Sequence, residues 1–261
     1  MSAEKDLIRL WSGDAPYAEK SPDQNPPTLK PFEAEGAQVA VVVCPGGAYF
    51  FKADHEGDPI AERLRAGGVS GYVLDYRVRP CHPLAPLADA LRAIRAVRAM
   101  GYRYVGILGF SAGGNLICNA ATHWDDGDPA SEDPLERLSS RPDFFVPCYP
   151  VVSFTQFPHL GSVENLLGEA VDDHAQRRYF SAELNVNAKT PPAFIWHTAN
   201  DGLVPVENSL LLAGALSRWG VPYEMHIYPD GPHGIGLGAD NPAARTWPEE
   251  CARFILEVCR E

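Results

Sequence analysis

The stretch Val105–Cys118, VGILGFSAGGNLIC, leaves this chain few ways to fold. It opens as an apolar run, Val105 to Phe110, that reads as a buried strand, and continues in small and apolar residues that suit a helix. Between the two lies Gly109-Phe110-Ser111-Ala112-Gly113, a G-x-S-x-G pattern. A strand that reverses into a helix within about one residue forces the central serine into strained backbone. Strand and helix then pass so close that side chains two positions either side of Ser111 would collide, and glycines remove the collision. The turn lifts the Ser111 hydroxyl clear of the sheet and aims the positive end of a helix at it. Alone, the pattern also describes a Gly/Ser loop; its context decides against that.

The rest of the chain supplies the context. Val39 to Cys44 is apolar throughout, as a central parallel strand should be. It ends in Pro45-Gly46-Gly47-Ala48-Tyr49, and Asp54 is expected to cap a helix running to about Ala66. Tyr72–Tyr76, Phe144–Val152, Ala193–Thr198 and Tyr223–Tyr228 read as further strands, with a short one at Leu7–Trp11. Helices are predicted at Pro86–Met100, Pro205–Trp219 and Trp247–Val258. Strand and helix alternate from Val39 onward, which predicts one domain over residues 1–261: a mostly parallel sheet with helices on both faces. The Pro-rich Pro16–Pro31 reads as an extended surface crossing. Residues 153–192, with short helices near Val163–Leu167 and His174–Phe180, read as a small cap insertion over the C-terminal edge.

A serine hydroxyl is a poor nucleophile at its own pKa. It needs a neutral imidazole to take its proton and a carboxylate to hold that imidazole in the right tautomer. In open parallel sheets such groups gather beyond the C-terminal ends of strands. Asp201 follows the strand Ala193–Thr198, and His233 follows Tyr223–Tyr228, so both are expected at the edge that carries Ser111. An oxyanion needs preorganised N–H donors. Ala112 offers one, and the loop after Val39–Cys44 offers Gly47 or Ala48, with Gly46 shaping the turn. Gly46, Tyr49 and Phe110 are the expected substrate contacts, with Phe50 and Phe51 either lining the acyl pocket or covering the core. Glu56 has two readings: a polar contact near the site, or, preferred, an acid complementing the dipole in a helix's first turn.

Composition closes other routes. The net charge of −12 argues against nucleic acid and anionic membrane surfaces. The apolar runs fall short of the ~20 residues that span a bilayer, and the N-terminus lacks the apolar region of a signal peptide. Cys44, Cys81, Cys118, Cys148, Cys251 and Cys259 show no C-x-x-C spacing, so reduced, mostly buried thiols in a cytoplasmic protein are expected, with no zinc site. Asp125, Asp126 and Asp128 lack the spacing of a calcium loop and read, with the rest of 125–142, as a solvated excursion. Arg92, Arg95 and Arg98 have two readings: a site for an acidic ligand or, preferred, a solvated helix face. No metal or cofactor is called for, and the oligomeric state is open.

The segments Cys44–Tyr49, Ala53–Gly57, Gly109–Gly114, Asp201–Pro205 and Gly231–Gly234 resemble those of the acetyl-xylan-esterase-like and hormone-sensitive-lipase-like α/β-hydrolases. The resemblance runs from about Leu7 to the last helix. It implies an α/β-hydrolase fold and a serine esterase for small-molecule esters, plausibly acetylated or feruloylated sugars. Two departures stand out: Ala48 where relatives often carry a third glycine, and Pro45 where lipase-type relatives begin with His-Gly. The rival readings are a formamidase or other amide hydrolase with the same triad, and a non-catalytic binding protein, which would be expected to have lost a triad member. A dienelactone-hydrolase-type enzyme would carry Cys at position 111.

Overall fold

Every residue of the run Val39–Cys44 is buried, because helices cover both faces of the sheet it sits in. In the computed structural model, which describes residues 7–21 and 24–260, this run is β3. With β1 (Ile8–Arg9), β2 (Thr28–Phe32), β4 (Ser70–Asp75), β5 (Tyr104–Phe110), β6 (Phe145–Cys148), β7 (Ala193–Thr198) and β8 (Tyr223–Tyr228) it forms one sheet. The order is β1-β2-β4-β3-β5-β6-β7-β8. The pairs β1/β2 and β2/β4 are antiparallel, and all others are parallel.

Seven α-helices accompany it among the described residues: α1 (Asp58–Ala66), α2 (Ala85–Ala99), α3 (Ser111–Thr122), α4 (Leu160–Leu167), α5 (His174–Tyr179), α6 (Glu207–Arg218) and α7 (Trp247–Val258). The strand period of two splits the core accordingly. Ala40, Val42 and Cys44 face a layer containing Ile94 of α2, Leu116 of α3 and Leu212 of α6. Val39, Val41 and Val43 face Ile60 of α1 and Phe254 of α7. Four cysteines are buried and all six are free.

The structure departs from the sequence reading in four places. The Pro-rich crossing contains β2, whose Leu29 is fully buried. Pro31 pairs with Tyr72 on β4 but lies beyond the two-residue register of β1, so its missing N–H costs no ladder bond on that side. Asp54 does not cap a long helix: Asp54–Glu56 forms a single 3₁₀ turn, and α1 starts at Asp58 with Pro59 in its first turn. The strand from Phe144 stops at Cys148, because Tyr149 turns away with φ 35° and Val151 donates its amide to the Ser111 carbonyl at 3.0 Å.

The fourth departure is the arginine stripe, which is not a solvated face. Arg92 and Arg95 are buried, under the acidic excursion, where Arg92 binds Asp133 at 2.6 Å and Glu136 at 2.8 Å. Arg95 binds Asp125 and Glu136, and Arg98 binds Asp143. Residues 125–142 are therefore docked on α2 rather than solvated throughout. The leader reading concerns residues 1–11, of which 1–6 lie outside the described residues. Among the described residues, no helix is long and apolar enough to cross a membrane.

Candidate active site

The turn between β5 and α3 takes the shape its glycines demand. Ser111 has φ +52°, in the left-handed region. A Cβ at Gly109 would stand 2.4 Å from the Gly113 carbonyl oxygen, and one at Gly113 would stand 2.2 Å from that of Cys44. Only glycine fits at either position. Ser111 is largely buried but its hydroxyl meets His233, whose Nε2 lies 2.8 Å from Ser111 Oγ.

His233 and Asp201 arrive from neighbouring strands. His233 Nδ1 lies 2.6 Å from Asp201 Oδ2. A carboxylate only accepts, so Nδ1 carries the hydrogen and Nε2 is left free to accept from the serine. The other carboxylate oxygen, Oδ1, accepts the amides of Leu203 and Val204 at 2.9 Å each. Burial works against the charged form of Asp201, but hydrogen bonds from His197, His233 and the Val204 amide outweigh it and hold the carboxyl well below its ordinary range. Ser111, Asp201 and His233 are thus joined by hydrogen bonds at one edge of the sheet.

Sequence reading missed the residues that hold this arrangement. His197, inside β7, places Nε2 3.0 Å from the Val204 carbonyl and 3.3 Å from Asp201 Oδ2, while Nδ1 meets Ser209 Oγ at 2.8 Å. Asn200 binds Asp230 and accepts the Gly231 amide at 2.9 Å, and Thr198 Oγ1 donates to the Gly231 carbonyl at 2.8 Å. These contacts stitch the loop after β7 to the loop after β8. His159 caps α4 by accepting the Ser162 amide; burial and then the His233 charge push its pKa down.

The loop after β3 is equally constrained. Gly47, Ala48 and Tyr49 have φ of +127°, +55° and +57°. The Gly46 carbonyl accepts from Ala53, and the Gly47 carbonyl accepts from Phe50 and Phe51. In a planar trans peptide the next N–H points the opposite way, so the Gly47 and Ala48 amides face out of the loop. Neither donates to a protein acceptor among the described residues. Ala112 is the second residue of α3, so its N–H has no acceptor one turn back. Asn165 of α4 donates to the Ala48 carbonyl at 2.8 Å, which ties residues 153–192 to this loop.

The expected substrate contacts fare differently. Tyr49 is buried, its hydroxyl donating to Asn115 Oδ1 at 2.9 Å. Phe110 is buried against Tyr149 and Trp247, since the strand period turns it to the core face opposite α3. Neither is open to a substrate; the exposed aromatics of the region are Phe50 and Phe51. Gly46 sits against Ser111, where a Cβ would meet Glu56 Oε2, the Phe110 carbonyl and Ser111 Cβ at 2.7, 2.8 and 3.0 Å. Glu56 is not an exposed first-turn acid. It is buried and accepts the Gly46 amide at 2.7 Å.

Comparison with known proteins places the chain in a family. The BD-FAE family model matches residues 29–216. The crystal structure of an acetyl ester-xyloside bifunctional hydrolase from Caldicellulosiruptor lactoaceticus is 42% identical with a TM-score of 0.92, covering 97% of this chain and 96% of that one. Endo-1,4-beta-xylanase B of Butyrivibrio fibrisolvens is 36% identical over 210 residues, 77% of this chain but 33% of that protein. An acetylxylan esterase of Xylanibacter ruminicola is 32% identical over 210 residues, 76% of this chain and 41% of that protein. The chain thus spans less than half the length of these two curated relatives. With a family match across most of its sequence and a sheet of this order, the chain belongs to the BD-FAE family and has the α/β-hydrolase fold.

Proposed function

We propose that this protein is a serine carboxylic-ester hydrolase that cleaves short-chain acyl esters, with acetylated sugars as the substrate class. The observation that carries the reading is the unbroken relay from Asp201 through His233 to Ser111, at 2.6 and 2.8 Å. His233 Nε2 takes the Ser111 proton as Oγ bonds to the ester carbonyl carbon. The carbonyl oxygen becomes an oxyanion, held by the outward amides of Gly47 or Ala48 and by that of Ala112. His233, now protonated, gives its proton to the leaving alkoxide, and the alcohol departs. Water then repeats the sequence on the acyl-serine: His233 takes a proton from water, hydroxide adds, and Ser111 leaves reprotonated. Asp201 keeps its charge throughout and stabilises the imidazolium.

Support for an acyl-sugar substrate comes from the Caldicellulosiruptor lactoaceticus neighbour, whose description names an acetyl ester and xyloside. The acetylxylan esterase relative points the same way. The 153–192 insertion, tied to the oxyanion loop through Asn165, is read as the cap that shapes the pocket. The test is hydrolysis of p-nitrophenyl acetate and of acetylated xylo-oligosaccharides, beside an anilide and a formamide. Turnover of the esters by the wild type and not by Ser111→Ala supports the reading; equal rates, or turnover of the amides alone, would overturn it.

A further inference from the structure

We propose that Glu56 is a positioning residue for this reaction: one buried carboxylate clamps both the oxyanion loop and the loop that carries His233. The inference rests on the esterase reading and adds a part that the triad does not contain.

Three loops meet at this side chain. Glu56 Oε2 accepts the Gly46 amide at 2.7 Å, from the loop after β3. Its other oxygen, Oε1, accepts the Tyr149 hydroxyl at 2.6 Å, from the segment after β6. The Tyr149 hydroxyl in turn accepts the Gly236 amide at 2.9 Å, three residues past His233 in the loop after β8. The Tyr149 ring also stands edge-on to the His233 imidazole, with centroids 5.0 Å apart. His55, next to Glu56, places Nε2 2.8 Å from the Gly234 carbonyl and 3.7 Å from Glu56 Oε1. The histidine turn is therefore gripped at Gly234 and Gly236, and both grips run back to the 3₁₀ turn Asp54–Glu56.

Burying a charge is costly unless its hydrogen bonds are made, and here both are made to loops of the site. What the carboxylate offers is two acceptors, one for each donor, with no donor of its own to satisfy. Gly46 donates to it, so the loop has a fixed roll, and the peptides that follow turn the Gly47 and Ala48 amides outward. Gly46 lies so near Ser111 that a Cβ added to it would stand 3.0 Å from that of Ser111, so a shift of that loop changes the distance from nucleophile to oxyanion donors. A misplacement of this kind reaches the transition state more than the bound ester.

The test compares Glu56→Gln, Tyr149→Phe and the double variant with the wild type in three measurements. These are kcat and KM for p-nitrophenyl acetate, the rate of phosphonylation of Ser111 by a fluorophosphonate, and thermal melting. Glutamine fills the space but accepts from only one of the two donors. We expect Glu56→Gln to lower kcat about 10–100-fold while KM moves less than about threefold, the signature of an interaction made in the transition state. Phosphonylation should slow in parallel, and the double variant should lose less than the product of the two single losses. A folded Glu56→Gln with kcat and phosphonylation within about twofold of wild type would overturn the clamp while leaving the esterase reading in place. Wild-type protein that is phosphonylated but hydrolyses no ester would sink the esterase reading, and the phosphonylation rates would still decide the clamp. Should Glu56→Gln fail to fold, Tyr149→Phe, which keeps the Gly46 contact, decides: an unchanged phosphonylation rate counts against the clamp.

Discussion

The C-terminal edge of the sheet and the outer flank of α2 both bury charge, and they do so for opposite ends. On the flank, all three nitrogens of the Arg92 guanidinium are engaged: Nη2 on Asp133, Nη1 on Glu136, Nε on the Leu10 carbonyl, with its face over the Trp11 ring at 4.6 Å. The set closes on itself and offers nothing to a ligand. At the edge, polar groups are held from behind so that one atom of the set is presented to the site. Asp201 is fixed by two amides and His197 so that His233 presents Nε2; the loop after β3 is fixed by its carbonyls so that Gly47 and Ala48 present N–H groups. Mutual satisfaction makes a scaffold, whereas an incomplete but rigid set makes a site. Variants on the two sides should separate activity from stability.

The largest effect belongs at the edge. Ser111→Ala should lower ester turnover by about 10⁴-fold or more without changing the melting temperature by more than a few degrees. Asp201→Asn should come close, at about 10³–10⁴-fold in kcat, because the amide can donate to His233 and so favour the wrong tautomer. A Michaelis–Menten series on p-nitrophenyl acetate measures both. An Asp201→Asn enzyme within tenfold of wild type would mean that the carboxylate is a scaffold group like those of the flank.

The same contrast explains what could be read in advance. The elbow, β3, β7, β8 and α7 announce themselves by period and by glycines with steric reasons, so their positions follow from local rules. Ser111, Asp201 and His233 were findable because each follows a strand and the sheet brings strand ends together. Glu56, Tyr149 and His197 were not. Their partners lie 10, 93 and 4 residues away in the chain, and nothing in residue type separates Glu56 from an exposed first-turn acid. Arg92 and Arg95 deceived for the converse reason: a charged helical stripe looks the same whether water or an acidic loop covers it. Phe110 and Tyr49 were misplaced because proximity to the motif in sequence was read as proximity to the substrate; strand alternation and a left-handed turn send both side chains to the core.

A middle-sized effect tests the flank. Arg92→Met keeps the aliphatic stem and removes the guanidinium, leaving Asp133, Glu136 and the Leu10 carbonyl without their donor. The two acids are partly exposed, with side-chain accessibilities of 39% and 30%, so water recovers much of their solvation. The expected loss is therefore about 1–2 kcal/mol, below the range for a fully buried pair, or a fall of about 2–8 °C in melting temperature for a chain of this size. Turnover at 25 °C should stay within about twofold of wild type. A tenfold fall in kcat would erase the distinction between the two regions.

The smallest effect reads the electrostatics of Asp201 directly. Its carboxyl is buried, which favours the neutral form, yet donors from His197, His233 and Val204 win and hold the pKa below the ordinary 3.8. A carboxyl depressed in the folded state binds fewer protons there than in the unfolded chain. It contributes stability that is fully present above the unfolded value and is lost as pH falls through that value toward the folded one. Melting curves of wild type and Asp201→Asn, compared from about pH 6 down to about pH 3, should draw together: the wild type starts ahead and begins to lose its advantage below about pH 4. The slope carries the information, since the many other acids titrate in both proteins and cancel. Parallel curves would show that these three donors do not favour the ionised form of Asp201.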